Sequence, residues 1–369
     1  MRIASVEAFP VPPRWVFCKV ETDDGLVGWG EATLEGHAAT QVAAVEELSR
    51  LLVGEDPLRI EYLWQAMYRC GFYRGGPVFM SAISGVDMAL WDVFGKVTAL
   101  PVHQLLGGAC RDRVRVYGGL GGDDPAAIRE KARECVERGF TAMKFCPVDA
   151  TETVDGLDVL KTVEARVAAA REGAGDADVA LDFHGRIAPA MAIALADVLT
   201  PLRPFFIEEP VQCENVDALL EVKRSTSIPI ATGERLYGRH GFREVIEKGA
   251  AAILQPDLAH AGGITETRKI AAMAETHYMA VAPHCPLGPV ALAACIQFAL
   301  CTPDFLIQEH GSLGEGYLET PLHVRDGHLS IPDGPGLGVE VDEERVRRMD
   351  WSDWDTPRLW HGDGSVADW

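Results

Sequence analysis

The chain has 369 residues, 47% of them hydrophobic and 24% charged, which is the balance of a folded globular protein and excludes disorder as its main state. Fifty-five acidic against 34 basic residues give a formal charge of −21, a field that repels phosphate backbones and anionic lipid. Nucleic acid and membrane surfaces are therefore excluded as expected partners, and an anionic substrate needs a local cation to receive it. Nine cysteines form no CxxC pair and read as buried small hydrophobes in a reducing compartment. The opening MRIASVEAFPVPP lacks the apolar core of a signal peptide, so a cytoplasmic setting is expected.

In chain order, residues 3–9 and 15–21 alternate like strands, Asp23-Asp24-Gly25 is a turn, and 26–31 returns as a third strand. Residues 40–52, 58–70 and 80–97 follow with helical spacing. Three strands and then three helices make a separate α+β domain, 1–113.

From 114 onward strand, loop and helix repeat. Strands are expected at 114–118, 141–145, 179–183, 205–208, 228–232, 252–255, 279–282 and 305–308, with amphipathic helices between them. This rhythm predicts an α/β fold, a (β/α) TIM-type barrel over 114–310; a doubly wound sheet is the structural alternative. The tail, 311–369, is rich in Gly, Pro and Asp and has four tryptophans, and is expected to pack back on the first domain.

Barrel enzymes carry their chemistry at the C-terminal ends of the strands. Each expected strand end here holds an ionisable group: Lys144, Asp182 with His184, Glu208 with Glu209, Glu234, Asp257, His284 and Glu309. From Asp182 onward they recur 23 to 27 residues apart, one βα unit each. One solvated carboxylate would mean little; the phase points to a shared site.

Asp182, Glu208 and Glu234 brought close would repel one another unless a cation sits among them. A hard divalent ion with oxygen ligands, Mg²⁺ rather than zinc, is the expected solution. Glu209 should project to the other side of its strand. His184, two residues past Asp182, shares its strand face. His284 faces from across the mouth, with Asp257 placed to bond its other ring nitrogen and raise its basicity. A carboxylate-held metal with two separate imidazoles suits proton removal α to a carboxylate. No strand–GxGxxG–helix unit, P-loop or GxSxG elbow competes.

These residues resemble the enolase superfamily, in its mandelate racemase group, and within it the D-galactonate dehydratases. The likeness is carried by GFYRGGPVFMSAI (71–83), ALDFHGR (180–186), FIEEPV (206–211), TGER (232–235), LQPDLAHAGGITE (254–266), APHCPLGP (282–289) and SVADW (365–369). It implies an α+β capping domain over the barrel and one Mg²⁺ per subunit held by Asp182, Glu208 and Glu234. It further implies His284 with Asp257 as the base at C2, and His184 as the acid toward the 3-hydroxyl. Glu309 would lie near the substrate carboxylate, and Lys144 is read with it as substrate-binding. The selecting loops would be 15–21 with its turn and 72–76, offering Arg14, Tyr73 and Arg74 to the substrate.

Many relatives have Lys-x-Lys at the second strand, whereas this chain has Lys144-Phe145-Cys146, and its sixth strand has no lysine. The resemblance implies a hydro-lyase turning a sugar acid into its 2-keto-3-deoxy acid, with D-galactonate favoured. Another aldonate, such as gluconate or a pentonate, and a C2 racemase or epimerase stay open. A non-enzymatic binding protein is disfavoured by the intact strand-end residues. A homo-oligomer is implied, without a number.

Overall fold

The computed structural model describes Met1–Trp369. The first layer is an antiparallel meander of β1 (Ile3–Val11), β2 (Trp15–Thr22) and β3 (Val27–Glu31). Against it lie α1 (Ala38–Leu52), α2 (Ile60–Arg69) and α3 (Pro77–Thr98). Gly28 and Gly30 leave no room for a Cβ against the backbone of α3, which lets strand and helix touch closely. Helix α3 is long and apolar enough to cross a membrane by composition, but 78% of its most apolar window is buried inside this protein.

After a short helix α4 (Val102–Leu105), the sequence expects one strand at 114–118, and the structure splits it. Strand β4 (Val114–Arg115) pairs antiparallel with the tail segment His328–Leu329, and only then does β5 (Gly118–Gly119) enter the barrel. The parallel ladder continues through β6 (Ala142–Phe145), β7 (Asp178–Asp182), β8 (Ile207–Glu208), β9 (Ile230–Thr232), β10 (Ile253–Leu254) and β11 (Ala280–Val281). Helices α5 (Pro125–Glu137), α6 (Leu157–Ala174), α7 (Pro189–Leu199), α8 (Val216–Ser225), α9 (Gly238–Lys248), α10 (Gly263–Glu275) and α11 (Pro289–Leu300) alternate with the strands.

An eighth segment closes the ring by single bridges, Phe305 to Val281 on one side and Gln308 to Val116 on the other. Each of the eight strand segments supplies one buried side chain to the barrel interior: Tyr117, Ala142, Ala180, Phe206, Ala231, Ile253, Ala282 and Ile307. Small and large residues share this layer, so the interior is a packed core and the chemistry is left to the rim.

The tail lies along the first layer. Trp15 meets Tyr317 edge-on at 4.9 Å, Lys19 pairs with Glu343 at 3.0 Å, and Arg347 bonds Glu7. Leu337 N donates to the buried Asp92 carboxylate at 2.8 Å.

Two further carboxylates join the meander and its helices to the barrel. Glu31 and Asp87 are fully buried, and burial pushes each up to about 7 despite the hydrogen bonds they accept. Each keeps its proton in the folded chain where the unfolded chain has already lost it. Stability from this source is therefore complete below about pH 4 and is lost as the pH rises to about 7. Denaturation midpoints at pH 5 and pH 8 should show the fall, and Glu31→Gln should flatten it. An unchanged slope in the variant would count against Glu31 as its source.

Candidate active site

The strand ends converge as their spacing requires. Asp182 ends β7, Glu208 ends β8, and Glu234 stands two residues past β9. One oxygen from each lies within 4.8 Å of the others. Lys144 on β6 enters the same cluster, its Nζ 2.7 Å and 2.8 Å from the two Glu208 oxygens, 3.4 Å from Asp182 and 3.0 Å from Glu309. Burial opposes the lysine charge, but Glu208 and Glu309 outweigh it and hold the ammonium well above its usual range. Burial and the neighbouring Asp182 push Glu208 well up, against the pull of Lys144. For Asp182 burial is overcome by Lys144 and His184, and its carboxyl is held low.

One ammonium among four carboxylates leaves the cluster short of positive charge. Glu234 shows where: burial pushes its carboxyl up, and Oε2 is buried with no hydrogen-bond partner. An all-oxygen triad with an unpartnered carboxylate oxygen fits a hard divalent cation, and the absence of thiolate or imidazole from the triad disfavours zinc.

His284 follows β11. Its Nδ1 is 2.7 Å from Asp257 Oδ2, and Asp257 is itself fixed by Ala259 N at 2.6 Å from Oδ1. The other nitrogen, Nε2, faces Glu234 at 3.6 Å and Glu309 at 3.8 Å. Burial works against an imidazolium here, but Glu234, Glu309 and Asp257 hold the pKa well above the ordinary histidine value.

His184 reaches the same cavity by a route that strand alternation does not describe. The strand stops at Asp182, and His184 takes a left-handed φ of 50°, its N–H donating to Asp182 Oδ1 at 2.9 Å. Arg186 Nη2 lies 3.0 Å from Nδ1, and Nε2 faces Asp182 Oδ2 at 3.1 Å. Burial is outweighed by Asp182 and Cys146, and the imidazole is raised to about 10. Cys146 thus stands beside His184, its thiol donating to Val148 O.

Glu209 is buried and turned away, bound by Thr232 Oγ1 at 2.7 Å and Arg235 Nε at 2.7 Å. Glu309 lines the cavity, its Oε2 accepting from Cys285 N at 3.0 Å.

The cavity between these groups measures about 470 Å³, within the size range of small-molecule sites. Asp182, His184, Glu234, His284 and Glu309 form its floor, while Arg14, Glu35, His37, Pro77 and Val78 reach it from the first domain. Arg14 pairs with Glu35 at 2.8 Å and lies 4.7 Å from the Trp354 ring centroid.

The structure places both expected selecting loops away from the cavity. Tyr73, 91% exposed, and Arg74 line a separate groove on the first domain, where Arg74 covers Tyr68. The left-handed Gly75 and Gly76 redirect the chain before α3, and it is Pro77 and Val78 that face the cavity. The Asp23–Gly25 turn lies beside Met1 and Lys96, at the far end of the hairpin from Arg14. Lys144 meets Glu208, Asp182 and the cavity-lining Glu309, and its ammonium is engaged by these carboxylates.

His260, Arg186, Arg235 and Trp369 were not anticipated. His260 lines the cavity with Nε2 3.8 Å from Asp257, and Trp369 sits with its ring centroid 6.2 Å from that of His184. The aromatic tail and the DFHGR run carried the available signal for Trp369 and Arg186.

Comparison with known proteins agrees with this geometry. The family described as Enolase C-terminal domain-like matches residues 127–345, and the Mandelate racemase / muconate lactonizing enzyme N-terminal domain matches 11–107. D-galactonate dehydratases of Verminephrobacter eiseniae and Variovorax paradoxus are 48% and 47% identical, over all of both chains. The crystal structure of an enolase from Agrobacterium radiobacter, with bound Na and L-malate, is 35% identical with a TM-score of 0.93 and covers 100% of each chain. With both domains matched in order and relatives nearly half identical along their whole length, this chain belongs to the enolase superfamily.

Proposed function

We propose that the chain is a Mg²⁺-dependent sugar acid dehydratase, with D-galactonate as its favoured substrate. In this reading 1–113 and 311–369 form the capping domain, and 114–310 the catalytic barrel of a cytoplasmic homo-oligomer. All nine cysteines are free, in keeping with a reducing compartment. The observation that carries the reaction type is the placement of two imidazoles four strands apart in an eight-stranded ring. His184 stands beside Asp182, and His284 beside Glu234.

Asp182, Glu208 and Glu234 would hold the ion. When bound, Mg²⁺ would supply the charge that offsets the negative charge building on the substrate carboxylate. Lys144 relieves repulsion among the same carboxylates from below. Glu234 is the carboxylate that most favours the His284 imidazolium, so with its charge taken up by Mg²⁺ the ring would be free to lose that proton; Asp257 fixes the ring so that Nε2 faces the substrate and takes the proton from C2. The C2–H electron pair moves into the carboxylate. The pair then returns to form a C2–C3 double bond as the C3–O bond breaks, and His184 Nε2 gives a proton to the departing 3-hydroxyl, which leaves as water. The enol so formed ketonises to the 2-keto-3-deoxy acid.

The test is a panel of aldonates with Mg²⁺, the keto product being trapped with semicarbazide. Strong product from D-galactonate is expected. Deuterium uptake at C2 without keto product from any acid would replace dehydration by epimerisation. His184→Asn separates the two steps: C2 exchange should persist while product formation falls about 100-fold or more. Equal loss of both would give His184 a wider role than that of the acid.

A further inference from the structure

The two loops that carry His284 and Asp257 lead into helices that have no side-chain caps of their own. Helix α10 has Gly262 at its N-cap and α11 has Gly288, and neither has a side chain to accept from the first N–H groups. Of the other barrel helices, α5 and α8 are capped by Asp124 and Asn215 from within their own segments, and α6, α7 and α9 have no side-chain cap.

For α10 and α11 the bonding comes from the other domain. Glu31, the last residue of β3, accepts from Gly288 N at 2.7 Å and from Ala291 N at 3.0 Å. Asp87, in α3, accepts from Thr265 N at 3.0 Å. Ser84 of the same helix accepts from Gly262 N at 2.9 Å, and Trp64 donates to Gly262 O at 2.8 Å. Ser81 lies 2.9 Å from His260 Nδ1. A Cβ at Gly263 would collide with the Asp87 carboxylate, and one at Gly288 with Glu31, so both approaches are closely fitted. Glu31 and Asp87 do not line the cavity.

We propose that Glu31 and Asp87 are positioning residues for the His284–Asp257 pair, capping from the other domain the two helices that fix its loops. The base is then held in register only while the first domain is seated on the barrel. Both carboxyl groups are buried acceptors at helix N-termini, where the first backbone N–H groups have no partner within the helix. Losing either loosens the loop just upstream, and a displacement of about 1 Å at a reacting group is worth about 100-fold in rate.

The inference rests on His284 being the base. The test uses full-length, Mg²⁺-loaded Glu31→Gln and Asp87→Asn enzymes. It reads kcat and KM per folded molecule, together with the downfield proton resonance of the His284 Nδ1–H bond to Asp257, assigned by its loss in His284→Asn. In both variants kcat should fall 10- to 100-fold with KM changed less than about threefold, and the resonance should shift or broaden. A purely structural role would lower the melting temperature and leave kcat per folded molecule and the resonance as they are, and that result overturns the proposal. If both variants fail to fold, Ser84→Ala removes only the bond to Gly262, and an unmoved resonance there overturns it equally. Retained C2 exchange in His284→Asn would overturn the reading of the base and this inference with it. Loss of exchange there, with Glu31→Gln and Asp87→Asn unaltered, overturns the inference alone.

Discussion

Replacing His284 by Asn should lower C2 proton exchange by about 10⁴-fold, the upper end of what a positioned general base contributes. Asparagine is the informative choice because the site is buried. Asp257 is 1% exposed and holds His284 Nδ1 at 2.7 Å. Alanine would leave that carboxylate without its partner, a loss of about 1–3 kcal/mol in stability. An asparagine amide can still donate to Asp257, so the fold is kept while the basic nitrogen is removed. The measurement is loss of the C2–H signal of D-galactonate in D₂O with Mg²⁺ present. Exchange at the original rate would show that another group takes the proton. Asp257→Asn should follow at a smaller distance, because an amide no longer dictates which ring nitrogen carries the proton.

The residues that the chain announces most clearly are those whose placement is set by the length of a βα unit. Asp182, Glu208, Glu234, Asp257, His284 and Glu309 fall at one strand end after another; Asp182, Glu234, His284 and Glu309 line one cavity, with Glu208 in the carboxylate triad and Asp257 bound to His284. His184 was found in the right cavity for an incomplete reason, since its ring depends on a left-handed backbone at the strand end and on Arg186. Tyr73 and Arg74 misled because an aromatic and a cation in a glycine-rich loop look available for recognition. The two positive-φ glycines that follow decide the direction of the chain, and nothing in side-chain chemistry reports it.

Trp369 stands beside His184 from half the sequence away, a contact that only the tertiary fold creates. The barrel's first strand was legible as an apolar run, but its division between two sheets depends on the partner His328–Leu329. The bonds made by Glu31 and Asp87 are long-range in the same way. Glycine at the starts of α10 and α11 does not announce them, because α6 also begins at a glycine, Gly156, without a side-chain cap.

Glu234→Gln should lower Mg²⁺ affinity by at least about 100-fold, the upper range of losses seen when even outer partners of a metal site are changed. Of the three carboxylates it is the cleanest to alter. Glu208 and Asp182 both touch Lys144, so neutralising either would leave a buried ammonium poorly matched. Glu234 has no contact with that lysine, and its Oε2 is the one triad oxygen buried without a hydrogen bond. Without metal, the ionised Glu234 is disfavoured by burial, so Gln should leave the metal-free protein as stable as before, or more so. With metal the order reverses. The wild-type chain gains stability in proportion to the logarithm of ion concentration over its dissociation constant, and the variant loses that gain. Calorimetric titration with Mg²⁺ and melting curves at several Mg²⁺ concentrations measure both halves. An unchanged titration would remove Glu234 from the metal shell. A metal-free protein that loses stability would mean that Glu234 serves the fold through its pairing with His284, and that the crowding of carboxylates at this rim is already balanced without an ion.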